Sequence, residues 1–201
     1  MKQGWEIKKL DEICNIELGK TPYRANKNFW DTEKQKNNVW LSIADLSNSE
    51  NRIVYDSKEY ITDEAVKISK IVKAGTLLLS FKLTLGRMAF AGRDLFTNEA
   101  IAALPIKQNV KLNKNYLYYS LSNFDWHSAT ENDIKVKGKT LNKAKLKNIE
   151  MPLPPLPEQE RIVSILDQVF SAIEQAKANA EKNLKNAKEL FDSYLNEIFT
   201  N

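Results

Sequence analysis

The chain has 201 residues, 42% of them hydrophobic and 28% charged, with 30 Lys and Arg against 26 Asp and Glu for a net charge of +4. That is long enough for one well-buried domain with an appendage, or for two small domains, and the composition is that of a soluble globular protein. No apolar run reaches the roughly 18 residues of a membrane span, the opening MKQGWEIKKL lacks a signal-peptide core, and the single cysteine, Cys14, excludes an intramolecular disulfide, so the expected compartment is the cytoplasm, with no membrane partner.

In chain order, the first notable segment is the loop at 19–30. GKT at 19–21 ends like a phosphate-binding loop, but Cys14 stands where its first glycine belongs and Pro22 where its helix should begin, so that reading is set aside. What remains is an interleaving of basic, hydroxyl and aromatic side chains (Lys20, Thr21, Tyr23, Arg24, Lys27, Phe29 and Trp30), a mixture that can touch phosphates and base edges together. NVWLSIADL (38–46) reads as a strand. TDEAVKISK, from Thr62, has a cap residue, acids in its first turn and lysines in its last, and predicts a short helix. GTLLLSF (75–81) is apolar enough for a strand buried on both faces, and GRMAFAG (86–92) and EAIAALPI (99–106) are further strands. Between the first two of these, SFKLTLGR offers Lys82, Thr84 and Arg87 at an outward turn. NKNYLYYSLSNF (113–124) predicts a helix, and strands interleaved with helices indicate an α+β fold with a mixed sheet.

His127, beside Trp126, is the only histidine and is read as structural. With one histidine and one cysteine, the usual Cys/His zinc sites are excluded, as is any nucleophilic pair not built on His127. The acids show no nuclease or transferase pattern, so neither catalysis nor a bound cofactor or metal is expected from this chain. Residues 133–149 then carry six lysines against one aspartate, with Lys135, Lys137 and Lys139 as a third basic cluster and Gly138 as a turn.

Four of the six prolines (Pro152, Pro154, Pro155 and Pro157) stand directly before the last segment. Proline fixes φ and disfavours helix in the residue before it, so PLPPLP predicts an extended strut ending at a helix N-terminus. From Glu158 to Phe199 no Pro or Gly occurs, which predicts a helix of roughly 60 Å. A heptad places Ile162, Val169, Ala176, Asn183 and Leu190 on one row and Leu166, Ile173, Ala180, Ala187 and Tyr194 on the next; a third row adds Val163, Phe170, Leu184, Phe191 and Ile198. The stripe is wider than a two-stranded seam requires and longer than a 150-residue domain, so other chains are expected to cover it; the alternative is a helix broken near Asn179 or Asn183 that folds back on its own domain. Charge divides at the same place: residues 1–150 hold 25 Lys/Arg against 18 Asp/Glu and the remainder 5 against 8, or +7 and −3. The basic part suits a polyanion such as nucleic acid. The expected organisation is a globular unit at 1–150, a strut at 151–157 and a helical region at 158–201.

KTLNKAKLKNIEMPLPPLPEQERIVSILDQV (139–169), together with GWEIKKLDEICNI, GKTP, VKAGTLLLSF and TNEAIAALPI, resembles the specificity (S) subunits of type I restriction-modification systems. The resemblance implies a target recognition domain that reads one part of a bipartite double-stranded DNA site, followed by a helical spacer. It implies as partners a methyltransferase (M) subunit, which carries S-adenosylmethionine, and a restriction (R) subunit if one is present. Family members carry two such units with antiparallel helices; this chain has one, so it looks like a half-subunit. A homodimer through an antiparallel coiled coil or bundle of the helix, along Ile162, Leu166, Val169, Ile173, Ala176, Ala180, Ala187, Leu190 and Tyr194, would complete it. The expected DNA contacts are Lys20, Thr21, Arg24, Lys82, Arg87, Lys137 and Lys139, with the two arginines as base readers and the lysines on phosphates. A second reading is a structural or antirestriction-like partner that binds M subunits through the helix and reads no DNA.

Overall fold

The computed structural model describes residues 3–47, 49, 52–126, 128–130, 134–135 and 138–200. His127 and Lys137 lie outside them. In chain order the elements are β1 (Glu6–Lys9), α1 (Leu10–Ile13), β2 (Glu17–Leu18), β3 (Val39–Leu41), α2 (Ile43–Ser47), β4 (Ile53–Val54), β5 (Glu59–Tyr60), α3 (Asp63–Val66), β6 (Leu77–Ser80), β7 (Lys82–Leu83), β8 (Met88–Ala91), β9 (Phe96–Thr97) and β10 (Ile101–Leu104). There follow α4 (Lys114–Ser122), β11 (Ile134–Lys135), β12 (Gly138–Thr140), α5 (Lys143–Lys147), β13 (Glu150–Leu153) and α6 (Leu156–Thr200). The fold is α+β with mixed sheets and a long C-terminal helix. The chain divides into two compact units, Met1–Gln159 and Glu160–Asn201.

The first unit is built on a five-stranded sheet of order β2-β10-β6-β8-β4, antiparallel except for the β4–β8 pair. Its centre is the LLLS run of β6, buried at every position as its apolar composition requires. Alternation along the strand splits the core between the two faces. Leu77 and Leu79 pack with Leu10 and Ile13 of α1, Leu117 and Leu121 of α4 and Leu146 of α5. Leu78 turns the other way, among Val39, Leu41, Ala89, Ile101 and Ala103. A second mixed sheet, β5-β3-β9, pairs β3 with β5 antiparallel and with β9 in parallel, and buries Trp40, Ile61 and Phe96.

Three expectations are corrected. The run at 38–46 is a strand only to Leu41; at Ser42 the backbone N–H and the hydroxyl both donate to Asp45 Oδ2 at 2.7 Å, a local arrangement that starts α2. The predicted helix from Thr62 is capped by that residue, whose hydroxyl accepts from Ala65 N–H, but it closes after Val66. The proline segment is also different in kind from a free strut. Its start, Glu150–Leu153, pairs antiparallel with β1 in register Ile7↔Pro152, and Tyr116 donates its hydroxyl to the Pro152 carbonyl at 2.8 Å. A two-stranded sheet is all edge, which is where a strand tolerates proline. Pro157 lies inside the first turn of α6, where a missing N–H costs nothing.

That first turn is pinned by Gln159, which has no solvent exposure. Its amide donates to the carbonyls of Pro154 (2.8 Å) and Lys111 (3.1 Å), and its oxygen accepts from the Asn113 N–H at 2.8 Å. Asn113 is itself the N-cap of α4. A buried amide with all these partners satisfied ties the first turn of α6 to the start of α4.

The second unit is the rest of α6, unbroken to Thr200 in a helix of 45 residues, or about 68 Å at 1.5 Å per residue. Its large apolar side chains stand in solvent: Val169, Phe170, Ile173, Leu184, Leu190, Phe191, Tyr194 and Ile198 are 42–68% exposed. No described helix is long and apolar enough to cross a membrane.

Candidate nucleic-acid interface

The three basic clusters read from the sequence lie far apart along the chain, and the sheet pairings place them together. The loop after β2 is fixed against the β9–β10 connection by backbone hydrogen bonds from Gly19 to Ile101 (3.2 Å) and from Lys20 to Thr97 (2.8 Å). Glycine is required there, because a Cβ would overlap the carbonyl and hydroxyl oxygens of Thr97 and the Asn98 carbonyl. Lys20 is exposed, and the half-buried Thr21 donates its hydroxyl to Glu99.

Glu99 is the hub that the sequence reading missed. Burial is the largest single influence on its carboxyl and acts upward, but the Thr21 hydroxyl, a backbone hydrogen bond and the charges of Lys82 and Arg24 together hold it below the usual range. It therefore links the first cluster to the second. A lone acid between two strands carries no sequence signature; only the pairing of Ile101 with Ser80 brings it beside the residues that follow β6.

Arg24, expected to read a base, is engaged at both ends. Its guanidinium makes a two-point ion pair with Glu59 and stacks over Trp30 and Trp40, 4.1 and 4.7 Å from the ring centres. The two indoles meet edge-to-face at 5.2 Å, and their N–H groups donate to the backbone carbonyls of Tyr23 (3.4 Å) and Lys20 (3.0 Å). Arg24 thus fastens the loop to β3 and β5.

The second cluster lies on the hairpin between β6 and β8. Lys82 is half-buried with its ammonium 5.3 Å from the Phe81 ring, and the exposed Arg87 donates to the Ser47 hydroxyl. The third cluster joins it in one antiparallel sheet, β11-β12-β7, with Lys139 opposite Leu83 and Thr140 opposite Lys82. Gly138, expected in a turn, opens β12 and pairs with Lys135. Lys137 lies outside the described residues. Lys20, Thr21, Lys82, Arg87 and the backbone of Lys139 thus belong to one connected region, whose first loop Arg24 anchors. Among the described residues, no group of His, Cys, Asp and Glu could hold a metal ion. Cys14 is fully buried, and burial pushes its thiol up to about 12, which leaves it without thiolate character.

Residues 2–183 match the family described as "Type I restriction modification DNA specificity domain". A type I restriction enzyme MjaIX specificity subunit from Methanocaldococcus jannaschii is 31% identical over 198 residues, covering 96% of this chain and 44% of that protein. An EcoprrI specificity subunit from Escherichia coli is 27% identical over 82% of this chain and 42% of its own length. The chain therefore spans less than half the length of these relatives. Among solved structures, the HsdS subunit from Thermoanaerobacter tengcongensis superimposes with a TM-score of 0.67 over 88% of this chain and 40% of that one, at 23% identity. A chain from a structure of type I R-M system assembly and conformational transition does so at 0.68 over 92% and 44%, with 25% identity.

Proposed function

Because the chain belongs to the type I restriction modification DNA specificity domain family, we propose that it is the sequence-reading subunit of a type I restriction-modification complex, recognising one half of a bipartite DNA site. The observation that carries this reading is the convergence of three chain-distant basic clusters on one connected region. Lys20, Lys82 and Lys139 meet phosphates and set the register on the duplex; Arg87, with its five donors, approaches a base edge. Arg24 holds the loop in shape, since reading a base would require it to leave both Glu59 and the indoles.

The chain brings no cofactor of its own. Methyl transfer from S-adenosylmethionine belongs to a methyltransferase subunit, and cleavage to a restriction subunit where the system has one. The exposed stripe of α6, from Val169 through Tyr194, takes up a second copy of the chain and the partner subunits. Two copies related by a two-fold axis would read an inverted repeat with an uncontacted spacer. The site of action is the cytoplasm.

The test is to co-express the chain with its neighbouring methyltransferase subunit and map N6-methyladenine on the host DNA. A symmetric bipartite motif supports both recognition and self-pairing. An asymmetric motif retains recognition but assigns the second half-site to a different chain. No methylation, with the complex intact, sinks the reading and leaves a partner protein that reads no DNA.

A further inference from the structure

The hairpin between β6 and β8 exposes a leucine that core packing does not require. Leu83 is 57% exposed, and its φ is +65°. The N–H of Thr84 reaches back to the carbonyl of Lys82 at 2.8 Å, so the chain turns through three residues around Leu83. A three-residue turn centred on a positive-φ side chain is the strained form, one that glycine adopts far more readily.

The surrounding structure holds the strain in place. Ser80, with no solvent exposure, donates its hydroxyl to the Thr84 carbonyl at 2.5 Å and accepts from the Arg87 N–H at 3.0 Å; its own carbonyl accepts from Gly86 at 3.0 Å. One buried side chain thus staples both arms of the turn. Behind it the Trp126 ring lies so close to Gly86 that a Cβ there would come within 2.5 Å of Cδ1. Strain that the surroundings over-determine is a mark of function. Here the result is an apolar side chain held outward between Lys82 and Arg87, with Lys139 opposite in register.

Those cations suit phosphates and guanine, and none of them can recognise an apolar group. The one apolar feature on the major-groove edge of DNA is the C5-methyl of thymine. We infer that Leu83 is a specificity-determining residue that packs on a thymine methyl in the DNA half-site. The inference rests on the DNA-reading role proposed above and names one base-pair feature within it.

The experiment uses the full chain purified with the co-expressed methyltransferase subunit and duplexes bearing the methylated motif, in which each thymine is replaced in turn by uracil, identical but for the methyl. One replacement should weaken binding roughly fourfold, the worth of a single methyl withdrawn from water. The same replacement should leave Leu83→Gly indifferent, because glycine keeps the turn and loses only the contact. Thermal unfolding of Leu83→Gly at or above the wild-type temperature would show that the turn survives. Uracil tolerated at every position, or equal discrimination by Leu83→Gly, would each overturn the contact. No sequence-specific binding by the wild-type complex would overturn the recognition role beneath it, and the contact with it.

Discussion

Replacing Gly19 by alanine is expected to open the joint on which the candidate interface rests. The added methyl meets the backbone carbonyls of Thr97 and Asn98, which cannot rotate aside, as well as the Thr97 hydroxyl. The loop must therefore lift from the β9–β10 connection, stretching the Gly19–Ile101 and Lys20–Thr97 hydrogen bonds now at 3.2 and 2.8 Å. At about 1 kcal/mol net for each of the two hydrogen bonds and about 1–3 kcal/mol for overpacking, the loss is about 3–5 kcal/mol. For a chain of this size that lowers Tm by about 6–20 °C. The control is Gly75→Ala, where φ is +80° but no atom lies within 4 Å of the new methyl. It should lose only the left-handed backbone penalty, about 1–2 kcal/mol. Both variants would be followed by calorimetry and near-ultraviolet circular dichroism of the full chain. A Tm for Gly19→Ala no lower than that for Gly75→Ala would refute the close approach as the element that seats the loop.

Arg24→Ala should cost about 1–2 kcal/mol, mostly through lost stacking on Trp30 and Trp40, since the half-exposed Glu59 pair contributes little; a Tm depression that vanishes in 1 M salt would show instead that the ion pair dominates. Among the described residues Thr97 Oγ1 is buried without a hydrogen-bond partner, so Thr97→Val should raise Tm by about 2–4 °C as the unsatisfied hydroxyl disappears; a fall would contradict it. The Tyr60 hydroxyl, donating to Asp56 at 2.5 Å, is the main reason that carboxyl sits below its ordinary range. A depressed folded-state value contributes stability present above about pH 4 and lost as pH falls through that region, so Tyr60→Phe should flatten the stability curve between about pH 5 and 3; an unchanged slope would rule the pair out. Light scattering should give the chain about twice its monomer mass, and Ile173→Glu with Leu190→Glu, both at exposed stripe positions, should halve it; a wild-type monomer at high concentration would exclude self-pairing.

What was legible in the sequence was whatever is encoded locally. The LLLS strand announced its burial by composition, Thr62 announced its helix as a cap, and the heptad rows of α6 announced a long helix. Ser42 and Asp45 could have been recognised as a helix start within 38–46, but the β-branched and aromatic residues before them suggested a longer strand. The remainder depends on distant partners. Nothing near Pro152 says that Ile7 will lie beside it, and nothing near Glu99 says that Thr21 will donate to it. Positive charge located three basic clusters, yet only the register of β7 with β12 showed that two of them share a sheet. Arg24 looked like a base reader from composition; its commitment to Glu59 and two indoles is a property of the folded loop.

The pairing of β1 with β13 joins residues 6–9 to residues 150–153, and it sets a waiting time on the growing chain. A ribosome adding roughly 5–20 residues per second delivers β13 about 7–30 s after β1 has been made. Through that interval EIKK has no strand to pair with, and its two lysines and one glutamate are the kind of residues that discourage a naked edge from pairing with other chains. Closure of this small sheet is a late step in the birth of the first unit, and it follows the central strands β6, β8 and β10 off the ribosome.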